Sequence, residues 1–183
     1  MTRVMNDGLI PGRYAKALYK VACANGDAEM IYDQLKRLNL SYATVEELTK
    51  VVRNPYIPAR KRSDVLIAAT GAKMGSSLHD FINLVIENNR TDYLHNIALA
   101  YLKLYRQEHN IAKVEIETAS RLPQEKIDSI IEVVKKELGN VTLEISHEVN
   151  ENLIGGFCVR VDSILLDASV RNELQKLRLK LLS

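Results

Sequence analysis

Lys113-Val114-Glu115-Ile116-Glu117-Thr118 sets charged residues against Val, Ile and Thr at alternate positions, and this period of two is the pattern of a half-buried strand. The chain before it follows a helical period instead. Tyr14, Leu18 and Ala22 form one i, i+4 row beside Ala15 and Tyr19, in a helix preceded by Pro11-Gly12 and ended by Asn25-Gly26-Asp27. Ile31, Leu35, Leu38, Tyr42 and Val45 extend an apolar stripe along a second helix. The prolines of Asn54-Pro55-Tyr56-Ile57-Pro58 interrupt the helical pattern. A short helix with Val65, Leu66 and Ala69 inward then runs to Gly71. Ser76 or Ser77 can cap the next, which carries Leu78, Phe81, Ile82, Val85 and Ile86. After a turn at Asn88–Asp92, Leu94, Ile97, Ala98, Tyr101, Leu102 and Tyr105 line the last helix of this half. Five or six helices with short connections predict a bundle over residues 1–110.

Beyond the switch, helix and strand periods alternate. Leu122-Pro123 opens a helix with Ile127, Ile130, Ile131, Val134 and Leu138 on its buried face, and Gly139-Asn140 closes it. Val141, Leu143 and Ile145 mark a second strand, Phe157, Val159 and Val161 a third, and Ile164-Leu165-Leu166 a short fourth. Val170, Leu174, Leu177 and Leu181 stripe the final helix; they are expected to cover the small sheet, since an uncovered stripe would be an exposed apolar patch. The fold class is therefore mainly α. A six-helix N-terminal bundle precedes a small α+β C-terminal domain, residues 111–183, in the order β-α-β-β-β-α.

Composition excludes several functions. A net charge of +2 over 183 residues is too small to attract nucleic acid by bulk electrostatics, although residues 1–110 carry 15 Lys+Arg against 11 Asp+Glu. No apolar run approaches the ~20 residues of a membrane span, and the start has no signal-peptide core. A soluble intracellular chain is expected. Cys23 and Cys158 lie far apart, as reduced, packed thiols do. His79, His95, His109 and His147 share no metal-ligand spacing, and only Cys158 and His147 lie close enough in sequence to raise the question of a nucleophile and base. Gly155-Gly156 leads into a strand and lacks the spacing of a phosphate loop; it serves a tight bend or a close approach of another backbone. Arg60-Lys61-Arg62 is the basic cluster on which an alternative, a helical RNA-binding adaptor, would rest. No cofactor, metal or catalytic residue emerges, and exclusion leaves a binding or scaffolding protein.

The helix Gly12-Arg13-Tyr14-Ala15-Lys16-Ala17-Leu18-Tyr19 and the ending Ile154-Gly155-Gly156-Phe157…Asp167-Ala168-Ser169…Leu174…Leu177 together resemble the F-type ATP synthase delta subunit, the oligomycin sensitivity-conferring protein family. Arg53-Asn54-Pro55, and Glu87-Asn88-Asn89-Arg90 followed by Leu94, match further landmarks in order. Gly155, Gly156, Phe157, Asp167 and Ser169 are its structural signature; Asp162-Ser163 stands where the family commonly has a glycine turn. The resemblance implies a non-catalytic stator subunit, one copy per complex. Its bundle would capture the N-terminus of an alpha subunit atop the alpha/beta head. Its C-terminal domain would bind the C-terminal end of the b-subunit stalk, keeping rotation coupled to proton transport. In the family the alpha helix lies between the first and fifth helices, which implies Tyr14, Ala15, Leu18, Tyr19, Ala22, Phe81, Leu84 and Val85 here. Leu179 and Leu182, surplus to the last helix's stripe, are assigned to the stalk. The implied location is peripheral, on the cytoplasmic face of a bacterial plasma membrane, touching the membrane only through the complex. The absence of a transit peptide favours a bacterial protein over an organellar precursor, and residues 1–10 read as a polar extension.

Overall fold

In the computed structural model, residues 9–182 are described except Pro55 and Ser163; of Lys176, Leu179, Lys180, Leu181 and Leu182 only the backbone is described. The chain divides between Glu108 and His109 into two compact units.

The first unit contains α1 (Leu9–Asn25), α2 (Ala28–Thr44), α3 (Glu46–Arg53), α4 (Ala59–Thr70), α5 (Ser77–Glu87) and α6 (Leu94–Glu108), with a 3-10 turn at Thr91–Tyr93. α1 starts earlier than the sequence predicts, because Pro11 needs no hydrogen-bond partner for its nitrogen in the first turn. It is buried there. α1 and α2 both pack on α6, while α4 and α5 pair with each other. Leu18, Ile31, Leu35, Leu38, Leu78, Ile82, Leu94 and Ile97 form the buried interior. Tyr19, Tyr32, Tyr101 and Tyr105 add a ring cluster in which Tyr32 stacks on Tyr105 at 4.3 Å. The Tyr101 hydroxyl donates to the Ala28 carbonyl at 3.1 Å, and burial holds this phenol above its ordinary range.

Two predicted core positions differ. The stripe of α2 stops before Val45, which is extended (φ −117°, ψ 94°), exposed, and separates α2 from α3. α3 instead buries Leu48 and Val52. Along α4, Val65 faces solvent while Ser63, Leu66 and Thr70 are buried. Both hydroxyls are satisfied: Ser63 donates to Asn83 Oδ1 at 2.7 Å and Thr70 to the Ile67 carbonyl at 3.0 Å.

The second unit is β1 (Ile111–Thr118), α7 (Gln124–Leu138), β2 (Thr142–Val149), β3 (Gly156–Val161), β4 (Ile164–Ser169) and α8 (Val170–Leu182), with a 3-10 turn at Glu151–Leu153. The sheet order is β2-β1-β3-β4; β1 and β2 are parallel across the α7 crossover, and the other pairs are antiparallel. Val114 lies opposite Val161, and Ile116 opposite Val159. These four residues meet Ile127 on α7, with Ile130, Ile131, Val134, Leu143 and Phe157 partly covered around them. The core is one layer thick. Ile145 on the edge strand β2 is exposed, although its alternation predicts burial, and Val141 lies outside the strand.

Candidate partner-binding site

Two apolar rows run side by side along α1. Pro11, Ala15, Leu18 and Ala22 face the bundle interior. Tyr14, Ala17, Leu18 and Val21, at i, i+3, i+4 and i+7, border a groove whose far wall is Phe81 and Leu84 on α5. The groove holds about 610 Å³, and Arg13, Asn25, Gly75, Ser77 and Asp80 complete its lining. Its apolar lips are open to solvent, with Val21 50% and Leu84 48% exposed. Tyr14 and Phe81 meet edge-to-face across its floor, with centroids 6.2 Å apart. Hydrogen bonds fix one end. Asn25 Nδ2 donates to Ser77 Oγ at 2.9 Å, and that hydroxyl donates to Asp27 Oδ2 at 2.7 Å. Ser76 accepts from the His79 amide at 3.3 Å and so caps α5. The two helices are thus joined at the polar end and left apart along an apolar trough. Such a trough can receive the apolar face of one amphipathic helix.

Of the residues assigned to the groove, Tyr14, Leu18, Phe81 and Leu84 line it. Ala15, Ala22 and Val85 are buried in the core and are not part of the groove's lining. Tyr19 points to the tyrosine cluster on α6, where burial pushes its hydroxyl up to about 12. Sequence reasoning missed Ala17 and Val21. The signal lies in the width of the α1 apolar face, which exceeds what one buried stripe needs.

The glycine signature has a steric basis. Gly156 has φ +78°, and a Cβ there would stand 2.3 Å from the Ala168 carbonyl oxygen on β4. A Cβ on Gly155 would meet the Val170 side chain at 2.9 Å, and the Gly155 carbonyl accepts from the Val170 amide at 3.0 Å. Asp167 and Ser169 cap α8. The Ser169 hydroxyl accepts from the Asn172 amide at 3.2 Å, and Asp167 Oδ1 accepts from the Ser169 amide at 3.0 Å. Phe157 packs toward the sheet core. Asp162, with φ +48°, occupies the turn between β3 and β4.

α8 does not cover the sheet as its stripe predicts. Val170, Leu174 and Leu177 are 38%, 52% and 55% exposed, and on the neighbouring edge strand Ile164, Leu165 and Leu166 are exposed as well. The side chains of Leu179 and Leu182, assigned to the stalk, lie outside the described residues.

The chemistry of the remaining candidates is quiet. Cys158 Sγ donates to Asp167 Oδ1 at 3.2 Å, and burial, reinforced by that carboxylate, pushes the thiol up to about 11. It is the protonated thiol, a poor nucleophile at neutral pH. His147 instead pairs with Thr118 Oγ1 at 2.9 Å. Within the basic cluster Arg62 is half-buried and donates to Thr91 Oγ1 at 3.3 Å, leaving Arg60 and Lys61 as its exposed members. No His, Cys, Asp or Glu cluster among the described residues could hold a metal, and no described helix is long and apolar enough to cross a membrane.

Residues 10–181 match the family described as ATP synthase delta (OSCP) subunit. ATP synthase subunit delta of Parabacteroides distasonis is 34% identical over 178 residues, covering 97% of this chain and 98% of that protein. The same-named subunit of Gloeothece citriformis is 30% identical over 92% of this chain and 91% of its own length. A chain in the cryo-EM structure of the Toxoplasma gondii mitochondrial ATP synthase hexamer shares the fold, with a TM-score of 0.71, 22% identity and coverage of 94% and 97%. The chain belongs to the ATP synthase delta (OSCP) subunit family.

Proposed function

We propose that this chain is a non-catalytic stator connector, which grips the catalytic head with its first unit and the peripheral stalk with its second. The open apolar groove between α1 and α5 carries this reading. Its lips, Val21 and Leu84, are apolar and exposed, and its floor is shaped by the Tyr14–Phe81 pair. The occupant is the N-terminal helix of an alpha subunit, laying one apolar face into the trough. The exposed apolar face of α8 supports a second contact, with the C-terminal end of the b-subunit stalk. A connector held at both ends resists rotor torque without catalysing a step. It sits at the membrane complex peripherally, on the cytoplasmic side, through its partners.

Titration calorimetry of the full chain with a peptide from the N-terminus of the cognate alpha subunit tests the groove. Binding is expected, and Val21→Asp/Leu84→Asp should weaken it by more than about tenfold while the circular dichroism spectrum stays unchanged. Heat from the double variant equal to that of the parent would sink the assignment.

A further inference from the structure

Among the described residues that line the trough between α1 and α5, Arg13 is the one cation and Asp80 the one carboxylate. Ser77, Asp80 and Leu84, at i, i+3 and i+7, bring that carboxylate onto the trough face of α5. His79 and Asn83, at i and i+4, lie on the face toward α4, where Asn83 meets the buried Ser63. Hydrogen bonds link the two faces. Ser63 Oγ donates to Asn83 Oδ1 at 2.7 Å, so the amide nitrogen of Asn83 is turned to His79 Nε2, at 3.5 Å. A ring nitrogen that accepts from an amide carries no proton. The proton of the neutral ring therefore sits on Nδ1, which donates to Asp80 Oδ1 at 3.0 Å. Burial rises inward along this chain: the Asp80 side chain is 72% exposed and that of His79 16%, while Ser63 is buried. The carboxylate at the lip is thus held by polar groups that reach into the contact between α4 and α5. Its place in the first turn of α5 suits the helix dipole, but that alone requires neither His79 nor a position on the trough face.

We propose that Asp80 is a specificity-determining residue of the trough, positioned by His79, and that it selects a helix carrying a lysine or arginine beside its apolar face. The inference rests on the alpha-subunit reading proposed above and adds a charge requirement to it. An exposed carboxylate gives little affinity, because water already solvates it before docking. It gives register instead. Only one placement of the incoming helix sets a cation against Asp80 while the apolar row fills the trough. An acidic side chain at that place is repelled, and a neutral helix covers the carboxylate without replacing its water. Among the described residues the one ionic contact of Asp80 is His79, so the charge is not already spent on a lysine or arginine of the bundle.

Binding of the full chain to an N-acetylated peptide from the N-terminus of the cognate alpha subunit, whose cations are then side chains only, is measured by fluorescence anisotropy at low and high salt. The parent should bind, more weakly as salt rises. Asp80→Asn should weaken binding about two- to fivefold at low salt and flatten the salt dependence, with folding checked by circular dichroism. Asp80→Lys should weaken it by more than about tenfold. One basic residue of the peptide, changed to Glu, should lose affinity for the parent and recover it with Asp80→Lys, a swap that a role in folding would not produce. His79→Ala should weaken binding in the parent and add nothing in the Asp80→Asn background. Equal affinity and salt slope in the parent and Asp80→Asn overturn the charge requirement and leave the groove reading standing. Additive effects of His79→Ala and Asp80→Asn overturn the positioning by His79. No binding by the parent overturns the charge requirement and the groove reading together.

Discussion

The two units treat apolar surface in opposite ways. The first buries a thick interior inside a bundle and leaves open, between α1 and α5, a trough with apolar side chains on both walls. The second buries a thin layer between α7 and the sheet, and exposes Ile164, Leu165, Leu166, Leu174 and Leu177 along β4 and α8. A concave site can be carved from a core that is already complete. A convex one leaves part of the core to its partner. Stability should therefore reside mostly in the first unit, and partner dependence mostly in the second.

The sharpest way to break this contrast is Gly156→Ala. The added methyl would enter the Ala168 carbonyl at 2.3 Å with φ at +78°, and the strain should cost about 3 kcal/mol. The second unit is expected to lose its thermal transition while the bundle keeps its own. A single joint transition in parent and variant would refute independent units. Core truncations test the same contrast with effects of comparable or smaller size. Leu35→Ala in the bundle should cost about 2–5 kcal/mol, and Ile130→Ala on the half-covered face of α7 about 1–2 kcal/mol, read from urea unfolding. Equal costs would mean that the second core is as complete as the first.

Much of this was legible in residue periodicity. The switch at Lys113–Thr118 does mark the first strand, and the α6 residues from Leu94 to Tyr105 are buried as their spacing predicts. Failures cluster where hydrophobicity and burial part company. Val65 is apolar but exposed, whereas Ser63 and Thr70 on the same helix are buried, which their satisfied hydroxyls permit. Val45 is the break between helices, with no proline or glycine to signal it. On α8, periodicity detected a stripe but could not tell that the unit's own sheet leaves it uncovered. In the groove, a stripe spacing could not separate Ala15, Ala22 and Val85, which face inward, from Ala17 and Val21, which face the trough. Neighbouring rows on one helix differ by a fraction of a turn, and only tertiary packing decides between them.

The smallest expected effect concerns a polar contact that the bundle encloses. His95 on α6 stacks on Tyr42 of α2 at 4.5 Å, and its Nε2 lies 3.0 Å from Asn39 Oδ1. Because an amide oxygen only accepts, Nε2 carries the proton in this pairing. Burial lowers the affinity of the ring for a second proton, and the nearby Arg53 charge lowers it further, so its pKa falls below the ordinary 6.5. The unfolded chain protonates His95 near that ordinary value, whereas the folded chain does not until the pH is lower. Between the two values the unfolded state binds more protons, so folding stability rises with pH there and is lost as pH falls from 6.5. Above 6.5 this residue contributes no slope. His95→Gln preserves a donor to Asn39 and cannot titrate, so its urea midpoint for the bundle transition should fall less than that of the parent on acidification. Parallel midpoints from neutral pH to about 5 would show that this contact leaves the proton balance of the bundle unchanged.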